Sequence, residues 1–449
     1  MSDVTVRVSA LRLRLLAGAL AGALFVGAAQ AAVFDTVGLK GQIDAKLDQN
    51  YPHLDALYKQ IHAHPELAFQ ETLTAARLAQ EMRTLGFTVS EKVGRTGLVA
   101  IYHNGPGPTV LVRTELDALP MEEKTGLPYA SHVRAMWNGA LTPVAHSCGH
   151  DVHMAIWVGT AQALVALKAN WNGTLMFIAQ PAEEVGGGAK AMLADGLFTR
   201  FGKPDYGFAL HVGPMPAGLL VFGAGVATSN MDGLDITFKG RGGHGSAPQA
   251  TIDPIVEEAH FIVDVQSVVS REKDPGAFGV VSIGAIQAGS VGNVIPDEAQ
   301  LKGTIRTYDP VVRERLIAGV KRTVQAAADM AGAPAPILTI GAESAKAVVN
   351  DGPLSTRTAV VFKTAFGPQA INAPGPNSAS EDYSEFIIAG VPSQFFGLGA
   401  LDPKLFAEAK AGGKPIPSNH SPYFAPVPEP VIRRGVEAMS LAVMNVLSR

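Results

Sequence analysis

Strand-like apolar runs alternate with helix-period patterns through the first half of the chain, and this alternation most restricts its fold. Runs at residues 87–89, 97–102, 109–113, 174–179 and 206–211 read as strands. Between and before them, Leu47, Leu54, Leu57, Tyr58 and Ile61 recur at helix spacing, residues 72–85 stop at Gly86, and residues 154–167 and 189–193 read as helices. Such an order predicts an α/β fold: a parallel or mixed sheet with helices on both faces. The pattern changes near Gly223. Residues 232–239, 279–287, 300–307 and 336–340 read as strands, with helices at 254–270 and 310–330. That is the strand-helix-strand-strand-helix-strand order of a ferredoxin-like α+β unit. Site-like polar residues return afterwards, so residues 224–342 read as an insertion between two segments, 32–223 and 343–449, of one larger domain. Residues 373–377 and 412–417, rich in proline and glycine, read as loop lining.

A chain of 449 residues with 47% hydrophobic and 17% charged residues has the composition of a globular protein with a large core. The formal net charge of -4 leaves no basic footprint and argues against nucleic acid as a partner. Arg7, Arg12 and Arg14 precede an apolar run at 15–29, and Ala29-Gln30-Ala31 has the small-x-small form of a cleavage site. Residues 1–31 are therefore expected to be a signal peptide, the protein to be exported to a periplasm, and no stable membrane span to remain. The alternative is a retained N-terminal anchor, although the run falls short of the ~20 residues a span needs. The single cysteine rules out an internal disulfide. A lone thiol in an oxidising compartment is protected when a metal occupies it.

That cysteine lies in Ala145-His-Ser-Cys-Gly-His-Asp-Val-His153, which also holds three of the twelve histidines. On a helix, residues two apart point away from each other. On a loop hinged at Gly149, Cys148 and His150 can converge on one ion, and thiolate with imidazole suits zinc and its first-row neighbours. The bland reading is a buried cysteine and a polar helix start. Three more polar stretches follow predicted strands, where α/β sheets place their ligands: residues 113–120, 180–188 with the Glu183-Glu184 pair, and 209–212 with His211. Alone, the glutamates read as solvated surface and the histidine as a satisfied core residue. Their recurrence at strand ends beside a Cys-Gly-His loop favours a site.

The motifs His62-Ala-His-Pro-Glu66, Leu116-Asp-Ala-Leu-Pro120, His146-Ser-Cys-Gly-His-Asp151, Pro181-Ala-Glu-Glu184, Ala209-Leu-His-Val212, Gly240-Arg-Gly-Gly-His244, Asn293-Val-Ile-Pro-Asp297, Gly303-Thr-Ile-Arg306 and Ser380-Glu-Asp-Tyr383 occur in that order. Together they resemble the co-catalytic metallopeptidase family. The branch is that of hippurate hydrolases, N-acyl-amino-acid amidohydrolases and indoleacetyl-amino-acid hydrolases, and the likeness extends over nearly the whole mature chain. The resemblance implies two divalent ions (zinc, manganese, cobalt or nickel) held by Cys148, His150, Glu184, His211 and His420, the last within Asn419-His420-Ser421-Pro422. It implies Glu183 as general base toward a metal-activated water and Asp117 as a residue orienting a ligand from behind. Asp151 and His153 either do likewise or simply begin the helix. In the inserted domain, taken as a lid and dimerisation domain, it implies that His244 stabilises the oxyanion, often across a dimer interface. Asn293 and Arg306 would recognise the substrate carboxylate. Read without the resemblance, Arg306 is equally a paired surface charge.

The expected reaction is hydrolysis of the amide of an N-acyl amino acid or short peptide by a homodimer or homotetramer. The alternatives are a dipeptidase or carboxypeptidase on the same site, or a non-catalytic binding protein on the same scaffold. Two positions depart from the family pattern: Glu115 stands where Asp is usual, and Tyr383 where Phe is frequent, with a hydroxyl expected near the pocket.

Overall fold

The computed structural model describes residues 34–373 and 375–448; the signal-peptide segment expected at 1–31 lies outside them. An eight-stranded mixed sheet forms the centre. Its strands run, edge to edge, Thr88–Val93, Gly97–Asn104, Gly173–Gln180, Thr109–Glu115, Tyr206–Pro216, Ser393–Leu401, Leu220–Phe222 and Ala370–Asn372. The inner strands Gly173–Gln180, Thr109–Glu115, Tyr206–Pro216 and Ser393–Leu401 are mutually parallel, as the strand-helix alternation requires. Alternate residues face opposite sides. Val110, Val112, Phe177, Phe208, Leu210 and Phe396 join the core beneath the helices Thr36–Ala63, His150–Ala166 and Pro428–Leu447. Leu111, Met176, Ile178, Ala209 and Phe395 face the other way, toward the short helices Gly188–Ala194, Leu197–Phe201 and Ser384–Ile388.

The helix His150–Ala166 is buried nearly all round, with fourteen of its residues out of solvent. It approaches its neighbours at glycines: a Cβ on Gly159 would meet Val436 at 2.6 Å, and one on Gly435 would meet Ile156 at 2.4 Å. The helix starts at His150, four residues before the sequence pattern suggested. Polar His150, Asp151 and His153 mask its first turn in a hydropathy reading. Gly149, at φ +90, is its N-cap, and a Cβ there would lie 2.5 Å from Val212. Glycine is thus demanded twice at the hinge.

A second sheet, all antiparallel, runs Gly279–Ala288, Glu298–Thr307, Asn230–Lys239, Ile337–Ala345. The helices Pro254–Arg271 and Pro310–Ala331 cover one face with a core of their own, including Phe238, Phe261, Leu301 and Leu316. The helices touch where Gly319 admits Val268. On the uncovered face, Met231, Arg306 and Val280 stand side by side across three strands. They look into the cavity that separates this sheet from the large one. Among the described residues no helix is long and apolar enough to cross a membrane.

Candidate metal centre

Four segments bring the centre together at the carboxyl ends of inner strands of the large sheet. Cys148 and His150 flank the Gly149 hinge, His211 rises from Tyr206–Pro216, and Glu183 and Glu184 follow Gly173–Gln180. His420 arrives from a C-terminal loop. His211 sits inside its strand, which continues to Pro216, five residues beyond the end that the sequence pattern implies. The prolines at 214 and 216 disguise the extension, which lies toward the sheet's far end.

The six side chains converge. Cys148 Sγ lies 3.4 Å from His211 Nε2, and His420 Nε2 lies 3.2 Å from Glu184 Oε2. His150 Nε2 is 3.9 Å from both Glu183 Oε2 and Glu184 Oε1. Hydrogen bonds fix which ring nitrogens are free. The carbonyl of Val212 accepts from His211 Nδ1 at 2.7 Å, and that of Asp117 accepts from His150 Nδ1 at 2.7 Å. A carbonyl only accepts, so each Nδ1 carries a proton and each Nε2 is the nitrogen left to face the centre. His150 Nε2 and Glu184 Oε1 are buried with no hydrogen-bond partner among the described residues. Buried polar atoms are rarely left so. Sulfur, imidazole and carboxylate donors aimed at common points are the chemistry of a divalent first-row metal site, and the residues fit the ions expected of them. His150 Nε2 and Glu184 Oε1 are the atoms a cation would satisfy.

The charges point the same way. Burial, and then the negative charges of Glu184 and Glu183, push the Cys148 thiol well above its ordinary range, so without a cation it keeps its proton. Burial opposes charging His150, yet Asp117 and the charges of Glu115 and Glu184 hold it up at about 10. Burial and the neighbouring His153 lower His211 to about 3, a neutral ligand. Burial, followed by the charges of Glu381 and Glu184, raises Glu183 well above a normal carboxyl. Glu184 is brought down to about 2 because its contact with His420 and the charges of His150 and His420 outweigh burial. Neighbouring glutamates with opposed proton affinities are suited to unequal duties: one ligates, the other exchanges a proton.

The loop bearing them is tied down by carboxylates. Asp117 Oδ1 and Oδ2 accept from the backbone N–H groups of Glu183 and Glu184, both at 3.0 Å. Glu71 Oε1 accepts from the N–H of Ala182 at 2.8 Å, where the backbone turns at φ +51. Burial and the Asp117 charge raise Glu71 to about 7. Asn419 secures the segments of Cys148 and His211: its Nδ2 donates to the carbonyls of Cys148, at 2.9 Å, and Val212, at 3.1 Å. The next residue, His420, adopts φ +65 and so turns back toward Glu184. Glu71 was invisible in the sequence because it acts through space on a distant N–H. Asn419 was legible only as part of a motif.

Asp151 and His153 serve the frame. Asp151 Oδ2 lies 2.6 Å from His62 Nδ1, whose Nε2 is 3.0 Å from Glu123 Oε1. His153 Nδ1 donates to Glu115 Oε2 at 3.0 Å while its Nε2 accepts from the N–H of Val212 at 2.9 Å. Both nitrogens are thus engaged, although Glu115, His150, His153 and His211 lie close enough to hold an ion. Glu115 also pairs with Arg113, which donates to Gln180 Oε1 at 2.9 Å and Glu381 Oε1 at 2.7 Å. The longer side chain at 115 therefore bridges Arg113 to His153. The Tyr383 hydroxyl, expected near the pocket, donates instead to buried Ser393 at 3.1 Å, and Tyr383 does not line the cavity.

The cavity holds about 1300 Å3 and runs from Cys148, Glu183, Glu184, His211 and His420 to Arg306. Arg306 is no surface charge: its Nη1 donates to Ser380 Oγ at 2.6 Å and its Nε to Thr304 Oγ1 at 3.2 Å, and it forms no ion pair among the described residues. His244 and Asn293 are not brought there. They sit together on exposed backbone, where Gly245 N donates to the Asn293 carbonyl at 2.8 Å, outside the lining of this chain's cavity. His244 Nδ1 accepts from Ser246 Oγ and N, at 2.8 and 3.1 Å.

A mixed-sheet enzyme scaffold with a cysteine-histidine-carboxylate centre facing a cavity defines a metallohydrolase-like architecture. The model for Peptidase family M20/M25/M40 matches residues 111–445, and the chain belongs to that family. It is a hydrolytic enzyme. It is 34% identical over 392 residues to thermostable carboxypeptidase 2 of Saccharolobus solfataricus, covering 86% of this chain and 93% of that one. It is 43% identical over 261 residues to hippurate hydrolase of Campylobacter jejuni, over 57% of this chain and 64% of the relative. Among solved structures, a dinuclear metal-binding peptidase of the M20 family from Bacillus subtilis superposes with a TM-score of 0.71. It is 27% identical, with 89% of this chain and 99% of that chain covered.

Proposed function

We propose that the protein hydrolyses the amide bond of N-acyl amino acids, using two divalent ions held by Cys148, His150, Glu184, His211 and His420. The observation that carries this reading is the pair of unpartnered buried atoms, His150 Nε2 and Glu184 Oε1, beside a glutamate whose proton affinity is raised. Relatives include a hippurate hydrolase and an N-acetylcysteine deacetylase, both named for N-acyl amino acid substrates.

Bound ions would supply Lewis-acid polarisation to the scissile carbonyl and the attacking water. Glu183 takes the proton of that water and returns it to the leaving amine, the exchange for which its raised affinity suits it. Asp117 keeps Glu183 and Glu184 in register by holding both their N–H groups. Arg306, unpaired and flanked by Met231 and Val280, receives the substrate carboxylate; its planar fork binds carboxylate in bidentate fashion. His244 and Asn293 lie outside this chain's cavity, so we assign them to the site of a second subunit in a homo-oligomer. The fixed acceptor role of His244 Nδ1 leaves Nε2–H to donate to the developing oxyanion. The sheet that carries these residues is the lid and dimerisation domain in this reading, and the leader at 1–31 directs export.

The test is release of free amino acid from N-benzoyl, N-acetyl and indoleacetyl amino acids and from dipeptides, by the chain starting at Ala32. Activity abolished by chelator and restored by zinc, manganese, cobalt or nickel is the expected result. A folded protein that binds two ions and releases nothing would overturn the reading in favour of a binding protein.

A further inference from the structure

Beside the metal centre the floor of the cavity lacks a side chain. In the large sheet His211, Gly397 and Val221 are register partners across three neighbouring strands. They therefore face the same way, and all three line the cavity. Gly397 is the only position of Ser393–Leu401 that is not buried. A Cβ there would meet nothing nearer than Met215 Cε at 3.6 Å and Val221 Cβ at 3.7 Å. The backbone at Gly397 needs no positive φ. Neither close packing nor backbone conformation calls for glycine, in contrast to Gly399, whose Cβ would lie 1.9 Å from the Pro216 carbonyl oxygen. What the missing side chain leaves is a trough next to a metal ligand, about two strand spacings (roughly 10 Å) wide between the flanking strands. Phe395, Met215 and Val221 edge it. Met215 is an adaptable wall, since an unbranched thioether repacks readily.

We infer that Gly397 is a specificity-determining residue, and that the trough over it receives a bulky, flat acyl group such as a benzoyl ring. The inference rests on the N-acyl amidohydrolase reading above. The direction of the substrate follows from the two ends of the cavity. Arg306 projects from the smaller sheet and holds the carboxylate, so the amino-acid half lies against Met231 and Val280. With the scissile carbonyl at the metal centre, the acyl half extends the other way, along the large sheet past His211. There two positions are open: Gly213, whose Cβ would meet only Met215 Cε at 3.8 Å, and Gly397, the register partner of His211 itself. An acetyl group fills little of such a trough and leaves its apolar edges in water; an aromatic ring covers them.

The experiment compares kcat/KM for N-benzoylglycine and N-acetylglycine in the metal-loaded enzyme and in Gly397→Ala, Gly397→Val and Met215→Ala. The native enzyme is expected to favour the benzoyl substrate at least about tenfold. That ratio should fall stepwise in Gly397→Ala and Gly397→Val, by roughly tenfold or more in the latter, with metal content and thermal midpoint close to native. Met215→Ala widens the trough without adding atoms and should raise kcat/KM for naphthoylglycine relative to benzoylglycine. A native preference for acetyl overturns the inference and leaves the amidohydrolase reading standing, as do ratios unmoved by all three substitutions. Hydrolysis of neither substrate overturns the inference, and with no release from the wider panel of N-acyl amino acids and dipeptides it overturns the amidohydrolase reading too.

Discussion

Burial and the negative charges around it act together to raise the proton affinity of Glu183, the property that its proposed role as base uses. Glu381 and Asp382 lie close enough to Glu183 for the three to form one acidic cluster, with Arg113 as its cation. Glu183→Gln keeps the shape and removes the proton exchange. Turnover is expected to fall by roughly 10²–10⁴-fold with the metal content of the purified protein unchanged, checked by steady-state kinetics beside metal analysis. Near-native turnover would remove Glu183 as the base. His62 offers a residue-scale prediction of another kind. Burial opposes its charge, but Asp151 and Glu123 outweigh burial and raise it from 6.5 to about 10. Its surroundings do not titrate in that window. Asp151 and Glu123 are held low by His62, once burial is overcome. Buried His146 is kept down at about 4, and burial raises Tyr58 and Tyr129. A folded-state value above the unfolded one gives stabilisation that is complete below about pH 6.5 and disappears as pH rises through 10. His62→Gln should therefore flatten the loss of stability between pH 6.5 and 10. It should also cost about 3–5 kcal/mol at neutral pH, because Asp151 and Glu123 lose their cation. Unfolding curves across that range check both.

At the scale of elements, the helix His150–Ala166 carries the Cys148-Gly149-His150 loop on its N-terminus, so its seat decides where Cys148 and His150 point. Gly159 and Gly435 set that seat. Gly435→Val would drive its methyls into Ile156, 2.4 Å from the new Cβ. Overpacking of this kind costs about 1–3 kcal/mol, and we expect a lowered thermal midpoint together with weaker metal retention. A lowered midpoint with unchanged metal affinity would show that the loop does not depend on the helix seat. The alternation of strands and helices was legible because each buried strand reads as an apolar run bounded by turns. Candidate site residues close in sequence, Cys148 with His150 and Glu183 with Glu184, were legible because they sit at a glycine hinge or just past the end of a strand. What escaped acts across the chain. Arg113 and Glu381 are 268 residues apart, and nothing local links them. Glu71 reaches Ala182 from the start of the helix Thr72–Thr84. One omission had a local signal. The strands Arg134–Trp137 and Ala140–Pro143 pair through Asn138 and Gly139, at φ 49 and 82, and Asn-Gly is the strongest short hairpin signal.

At the scale of the whole molecule, the position of His244 points to the site of another subunit. His244 is exposed, its ring is oriented by Ser246, and the cavity of its own chain does not include it. Nearby, Val291 and Val294 are 56% and 52% exposed, an apolar edge suited to contact with another subunit. If the partner subunit's His244 completes each site, Glu183→Ala and His244→Ala fail for different reasons in different subunits. A Glu183→Ala subunit still lends a sound histidine, and a His244→Ala subunit still holds a sound base. Each variant alone should be nearly inactive. Mixed in equal amounts and allowed to exchange, they form heterodimers with one complete site, and random pairing in a two-fold dimer should restore about a quarter of native activity. The gain should grow with the time allowed for exchange and vanish when the subunits are cross-linked beforehand. Were His244 to act within its own chain, no mixture would contain a complete site, and the activity would stay at the mean of the two variants.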